Sequence, residues 1–170
     1  MMFRRILYLL LSLFVFASDR ILKSFIKMHV APYPHQGIPV FQDWLGGINF
    51  SINHVTNTGA AWGVLSTFDK ALLVLRIALI IGIAVYLFAL NKRKERELPF
   101  SLILTGAIGN VIDHFVYGHV VDMFHFSFWG YSFAVFNIAD AAIFCGVVLM
   151  FFIPYFQKKC SESQVQKKKA

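Results

Sequence analysis

ALLVLRIALIIGIAVYLFAL, residues 71–90, is a run of twenty residues in which Arg76 is the one charge. At 1.5 Å of rise per residue it covers about 30 Å, the thickness of a bilayer's hydrocarbon core. Backbone polar groups at that depth have no water to turn to, so the run must satisfy its own hydrogen bonds as a helix. The rest of the 170-residue chain agrees, being 58% hydrophobic and only 15% charged. That composition selects a membrane protein.

Outward from this run lie three weaker apolar stretches, which put the expected spans at about 4–27, 71–90, 98–116 and 131–153. The first begins with Ile6–Ala17 and continues past Asp19. The third carries Gly106, Gly109, Asn110 and Asp113, and the fourth carries Asn137 and Asp140. We therefore expect an α-helical integral membrane protein, a four-helix transmembrane bundle formed by one domain over residues 1–157. Residues 158–170 form a basic tail.

The charge of +7 is distributed as membrane topology requires. Eleven of the sixteen Lys and Arg fall in three clusters: Arg4 and Arg5; Lys92, Arg93, Lys94 and Arg96; and Lys158, Lys159 and Lys167–Lys169. Four spans put all three on one side, which the positive-inside rule makes cytoplasmic, together with both termini. The opposite loops, about 28–70 and 117–130, hold Lys70 and no arginine, and five of the six histidines. This pattern accounts for the charge without a nucleic-acid partner. Arg4, Arg5 and the apolar run to Ala17 also resemble a signal peptide, but the apolar character resumes after Asp19, so we expect the first span to be retained. Cys145 and Cys160 have no disulfide or metal-ligand spacing.

The outer loops have a period of two. Ile48, Phe50 and Ile52 alternate with polar residues, as do Phe124, Phe126 and Phe128, the signature of half-buried strands. We expect a small extracytoplasmic β-sheet, its first part in the outer loop of about 32–66, with Trp44, Trp62, Trp129 and Tyr131 in the interfacial belt.

Against this background the polar residues stand out, because an ionisable side chain deep in a bilayer costs about 2.5–3.5 kcal/mol on insertion scales. Asp19 and Lys23 share a helix face, either as a salt-bridged helix end with lysines snorkelling outward or as a prop for an active-site wall. Gly106, Asn110 and Asp113 stack on one face beside His114, where amides and small residues commonly glue helices. Asp113 needs a partner, which Lys23 or His114 could supply. Asn137 and Asp140 face alike, two to three turns inside a helix starting near Tyr131. The 117–130 connection returns Asp122 over that helix. Two carboxylates held close share a proton and offer an acid and a base together. His119 and His125 flank Asp122 as the best metal candidates, but without a ligand signature; no metal or cofactor is expected.

Four motifs then resemble one family. Asp19 and Lys23 form D-x3-K, residues 57–63 read NTGAAWG, residues 106–123 read GAIGNVIDHFVYGHVVDM, and residues 136–140 read FNIAD. Together they resemble the lipoprotein signal peptidases, the aspartic signal peptidases II. The resemblance implies Asp122 and Asp140 as catalytic residues, with Asp19, Lys23, Asn57, Gly59, Asn110, Asp113, His114 and Asn137 in substrate-binding or supporting roles. It implies diacylglyceryl-modified prolipoproteins as substrates, cleaved just before the lipidated cysteine, at the outer face of a bacterial inner membrane. We expect a monomer surrounded by membrane lipid. His114 stands where the family usually has arginine, and Met123 where it has phenylalanine. The rival from another class is a small polytopic ion or proton transporter, since aspartates and histidines in spans also mark ion paths.

Overall fold

The computed structural model describes residues 2–33, 37–58 and 69–169, with side chains over 3–33, 37–58 and 70–153. Each of the four apolar stretches contains a helix: α1 over Met2–His29, α2 over Asp69–Val85, α3 over Glu97–Tyr117 and α4 over Ile138–Lys169. One wide π-helical turn, Tyr86–Leu90, prolongs α2, and a 3-10 turn at Lys94–Arg96 leads into α3. Gly118 ends α3 in the left-handed region at φ 77°, its N–H bonded to the His114 carbonyl, an ending that glycine makes without Cβ strain.

The ion pairs fix how the helices lie. Arg4 and Arg5 clasp Glu97 at 3.0 and 3.1 Å, while Lys23 meets Asp113 at 2.6 Å. α1 and α3 are thus parallel, with the first two basic clusters at one end. α3 packs against α1, α2 and α4. Its approach to α4 is close because Gly106 has no side chain: a Cβ there would run into the Ala139 carbonyl. Small residues at such crossings let backbones touch.

Packing is inverted relative to a protein in water. Phe14 on α1, Leu79 on α2 and Phe144 on α4 are 69%, 56% and 69% exposed, while Asp19, Lys23, Asp113, Asp122 and Asn137 are buried. Among the described residues, Lys70–Leu90 and Lys94–Tyr117 are each long and apolar enough to cross a membrane, and Ile138–Ile153 is a shorter apolar helix.

Beyond the helices lies one antiparallel sheet in the order β1-β2-β3-β4. The two expected alternating segments are its centre. β2, Ile48–Asn57, pairs with β3, Val120–Phe128, so that Ile48, Phe50 and Ile52 face Phe128, Phe126 and Phe124. Phe50 stacks on Phe126 with centroids 4.4 Å apart. β1, Ile38–Trp44, and β4, Tyr131–Ser132, complete the edges. Ile26 of α1 and Val30, just past its end, pack with Val121 and Met123 of β3, fastening sheet to helices. Trp44, Trp129 and Tyr131 are exposed at the sheet's rim; Trp62 lies outside the described residues.

One helix boundary corrects the sequence reading. Tyr131–Phe136 is apolar enough to read as the start of the last span, yet Tyr131 and Ser132 pair with β3, and Phe136 bridges to Phe124. The helix begins at Ile138, and Asp140 stands in its first turn rather than two to three turns inside.

Candidate functional site

The start of α4 explains why FNIAD has its spacing. Asn137 precedes the helix and its Oδ1 accepts the N–H of Asp140 at 2.9 Å, while an Asp140 carboxylate oxygen accepts the N–H of Asn137 at 3.2 Å. This is a reciprocal capping box, built here with Asn and Asp, and it satisfies two backbone donors that a helix start leaves open. A third is taken from across the bundle, where Asp19 accepts the N–H of Ala139 at 2.9 Å.

Three asparagines gather the two carboxylates. Asn137 Nδ2 donates to Asp122 Oδ1 at 2.7 Å and Asn57 Nδ2 to Asp122 Oδ2 at 2.9 Å. Asn110 Nδ2 donates to Asp140 Oδ1 at 2.7 Å. Asn137 therefore touches both acids, one through its side chain and one through its backbone. Both acids also line one cavity of about 490 Å³, whose walls include Phe133, Phe136, Ala141 and Phe144 and whose single cationic lining residue, among the described residues, is Arg76. A second, more polar groove of about 880 Å³ runs over the sheet and meets the first at Asn57, Asp122 and the segment Phe133–Val135. Burial, and then the charge of Asp140, pushes the Asp122 carboxyl up to about 7. A proton is therefore available there near neutral pH.

Behind the acids sits a second polar group. Lys23 Nζ reaches Asp19 at 2.7 Å, Asp113 at 2.6 Å and Asn110 Oδ1 at 3.1 Å. Two ion pairs and one hydrogen bond thus hold the ammonium, and the side chain is fully buried, so the snorkelling reading of Lys23 is wrong. Arg20 supplies the other cation, bonding Asp113 and donating to the Tyr117 hydroxyl at 3.1 Å. Lys27, one turn beyond Lys23, is exposed and sits 3.6 Å from the centre of the Tyr117 ring.

Of the expected site residues, the structure brings together Asp19, Lys23, Asn57, Asn110, Asp113, Asp122, Asn137 and Asp140. His114 is not among the residues that line either large cavity. Gly59 and the rest of NTGAAWG lie outside the described residues. His125 bonds the Ser132 hydroxyl at 2.8 Å, and no metal-binding group of three His, Cys, Asp or Glu occurs among the described residues. Sequence reasoning missed Arg20, Tyr117 and the cavity position of Arg76. Arg20 adjoins Asp19 in sequence, but its partner lies 93 residues away.

A family model described as Signal peptidase (SPase) II matches residues 11–156. The chain is 36% identical over 153 residues to a lipoprotein signal peptidase of Chlamydia felis, covering 89% of this chain and 92% of that protein. It is 34% identical over 157 residues to one of Latilactobacillus sakei, covering 91% and 97%. A solved bacterial membrane enzyme superposes with a TM-score of 0.72 at 27% identity, over 89% of this chain and 88% of that one.

Proposed function

The chain belongs to the signal peptidase II family, and on that premise we propose that Asp122 and Asp140 are the catalytic pair with which it cleaves prolipoproteins. It is an aspartic peptidase of the bacterial inner membrane that removes signal peptides. The observation that carries the assignment is the shared cavity: two carboxylates held by amides, Asp122 buried and Asp140 half-buried, face one space with apolar walls. Near neutral pH the pair holds one proton. The ionised member takes a proton from water as the water oxygen bonds the scissile carbonyl carbon. The protonated member gives its proton to the amide nitrogen as the C–N bond breaks. The products are a carboxyl-ended signal peptide and a free amine on the cysteine.

α1 to α4 all span the membrane, with the basic clusters and both termini on the cytoplasmic side, and the sheet and acids at the outer face. Exposed apolar side chains along the helices and the clustering of Arg4 and Arg5 with Glu97 support this placement. The substrate's cysteine carries a diacylglyceryl group, and cleavage falls just before it. The apolar cavity suits the lipidated part, and the polar groove over the sheet suits the polypeptide that follows. Orientation by so large a ligand accounts for part of the rate. The enzyme acts as a monomer.

Asp122→Asn and Asp140→Asn, assayed on a diacylglyceryl-modified precursor peptide, each lower kcat by about a thousandfold or more, within the range for acid–base groups that act as a unit. Near-normal turnover by either variant rejects the pair.

A further inference from the structure

Arg76 interrupts the longest apolar run of the chain and has no place in the chemistry above. It stands seven residues into α2, about 10 Å along its axis from Asp69, and is half-buried. α2 packs against α3, and α3 against α4, and Arg76 of α2 lines the same cavity as Ala141 and Phe144 of α4. The other polar residues of that lining are the two acids and the asparagines Asn57 and Asn110; the remainder is largely apolar. The cation that opposes the rise of Asp122 is Lys23, behind the site. Arg76 is not without a partner in the structure, but a guanidinium carries five N–H donors. An arginine on an apolar wall suits a ligand that is greasy yet carries oxygen acceptors.

We propose that Arg76 is a substrate-binding residue whose guanidinium donates hydrogen bonds to the ester carbonyl oxygens of the diacylglyceryl group on the substrate's cysteine. The proposal rests on the peptidase reading and names which part of the substrate the cavity holds. Carbonyl and phosphate oxygens of bilayer lipid could occupy the same donors, and the test separates these sources.

Full-length enzyme in mixed detergent–lipid micelles is given two precursor peptides, one with a diacylglyceryl and one with a dialkylglyceryl ether group on the cysteine. The ether lacks the carbonyls and little else. Arg76→Leu raises KM for the ester substrate about tenfold, equivalent to about 1.4 kcal/mol, leaves kcat within about twofold, and leaves KM for the ether unchanged. Arg76→Lys keeps the charge but loses the fork, gives a smaller rise confined to the ester, and decides the matter if Arg76→Leu does not fold. An equal loss on both substrates shows a structural arginine, and no loss on either shows that the substrate does not use its donors, leaving them to bilayer lipid or to none; both overturn the proposal. Wild-type enzyme that cleaves neither precursor overturns the peptidase reading as well.

Discussion

Two sets of aspartates lie side by side, all buried but the half-buried Asp140, and they are held in opposite ways. Asp19 and Asp113 touch Lys23 and Arg20, two acids against two cations. Asp122 and Asp140 are held by Asn57, Asn110 and Asn137, and no ion pair reaches either among the described residues. An amide fixes a carboxyl group in place without cancelling its charge, so the proton stays negotiable; a cation in contact does cancel it. The first set is a frame and the second is the proposed working pair. Asn110 joins them, accepting from Lys23 and donating to Asp140.

The sharpest way to break this contrast is to remove the cation of the frame. Lys23→Met strands the buried Asp19, and unpairing a buried charge costs about 3–5 kcal/mol; scanning fluorimetry in micelles should show a large fall in unfolding temperature. Adding Asp19→Asn restores much of it, because the amide oxygen still accepts from Ala139.

Asp122→Asn has the opposite sign. The unfolded chain releases this proton near 3.8 and the folded chain near 7. Between those values the folded state binds the extra proton, so wild-type stability, full below 3.8, falls as pH rises through 7. The variant is inactive yet melts higher than wild type at pH 8, and the gap closes toward pH 4. For the wild type, kcat declines above about pH 7 as the pair loses its shared proton.

Asn137→Ala comes next. It removes a helix cap, worth about 1 kcal/mol, and also the donor to Asp122, so activity should fall by far more than the modest drop in melting temperature implies. Lys27→Met has the smallest effect, about 0.5–1 kcal/mol for an exposed cation over a tyrosine ring, with turnover near wild type.

Local patterns are legible in the sequence. The period-two segments pair residue for residue at the centre of the sheet because their aromatic faces leave one workable register. β1 was not legible: Pro39 interrupts it, two register shifts break its pairing, and all but one of its residues are exposed, so no alternation remains to read. The start of α4 was misplaced because hydropathy does not separate an apolar strand end from an apolar helix. The N-x-x-D spacing at 137–140 was the better signal, a capping box in unusual residues. Within the site, the convergence of residues 122 and 140 followed from a short return loop. The alliance of Arg20 with Asp113 did not, since it depends on how α1 leans on α3.

The reciprocal cap at Asn137 and Asp140 ties assembly to competence. One proposed reactive acid is also the stitch that starts the last helix, and that stitch is anchored by Asp19 from the first helix and Asn110 from the third. A chain still emerging into the bilayer, with its fourth helix absent or unmoored, holds only half of its acids and no cavity between them.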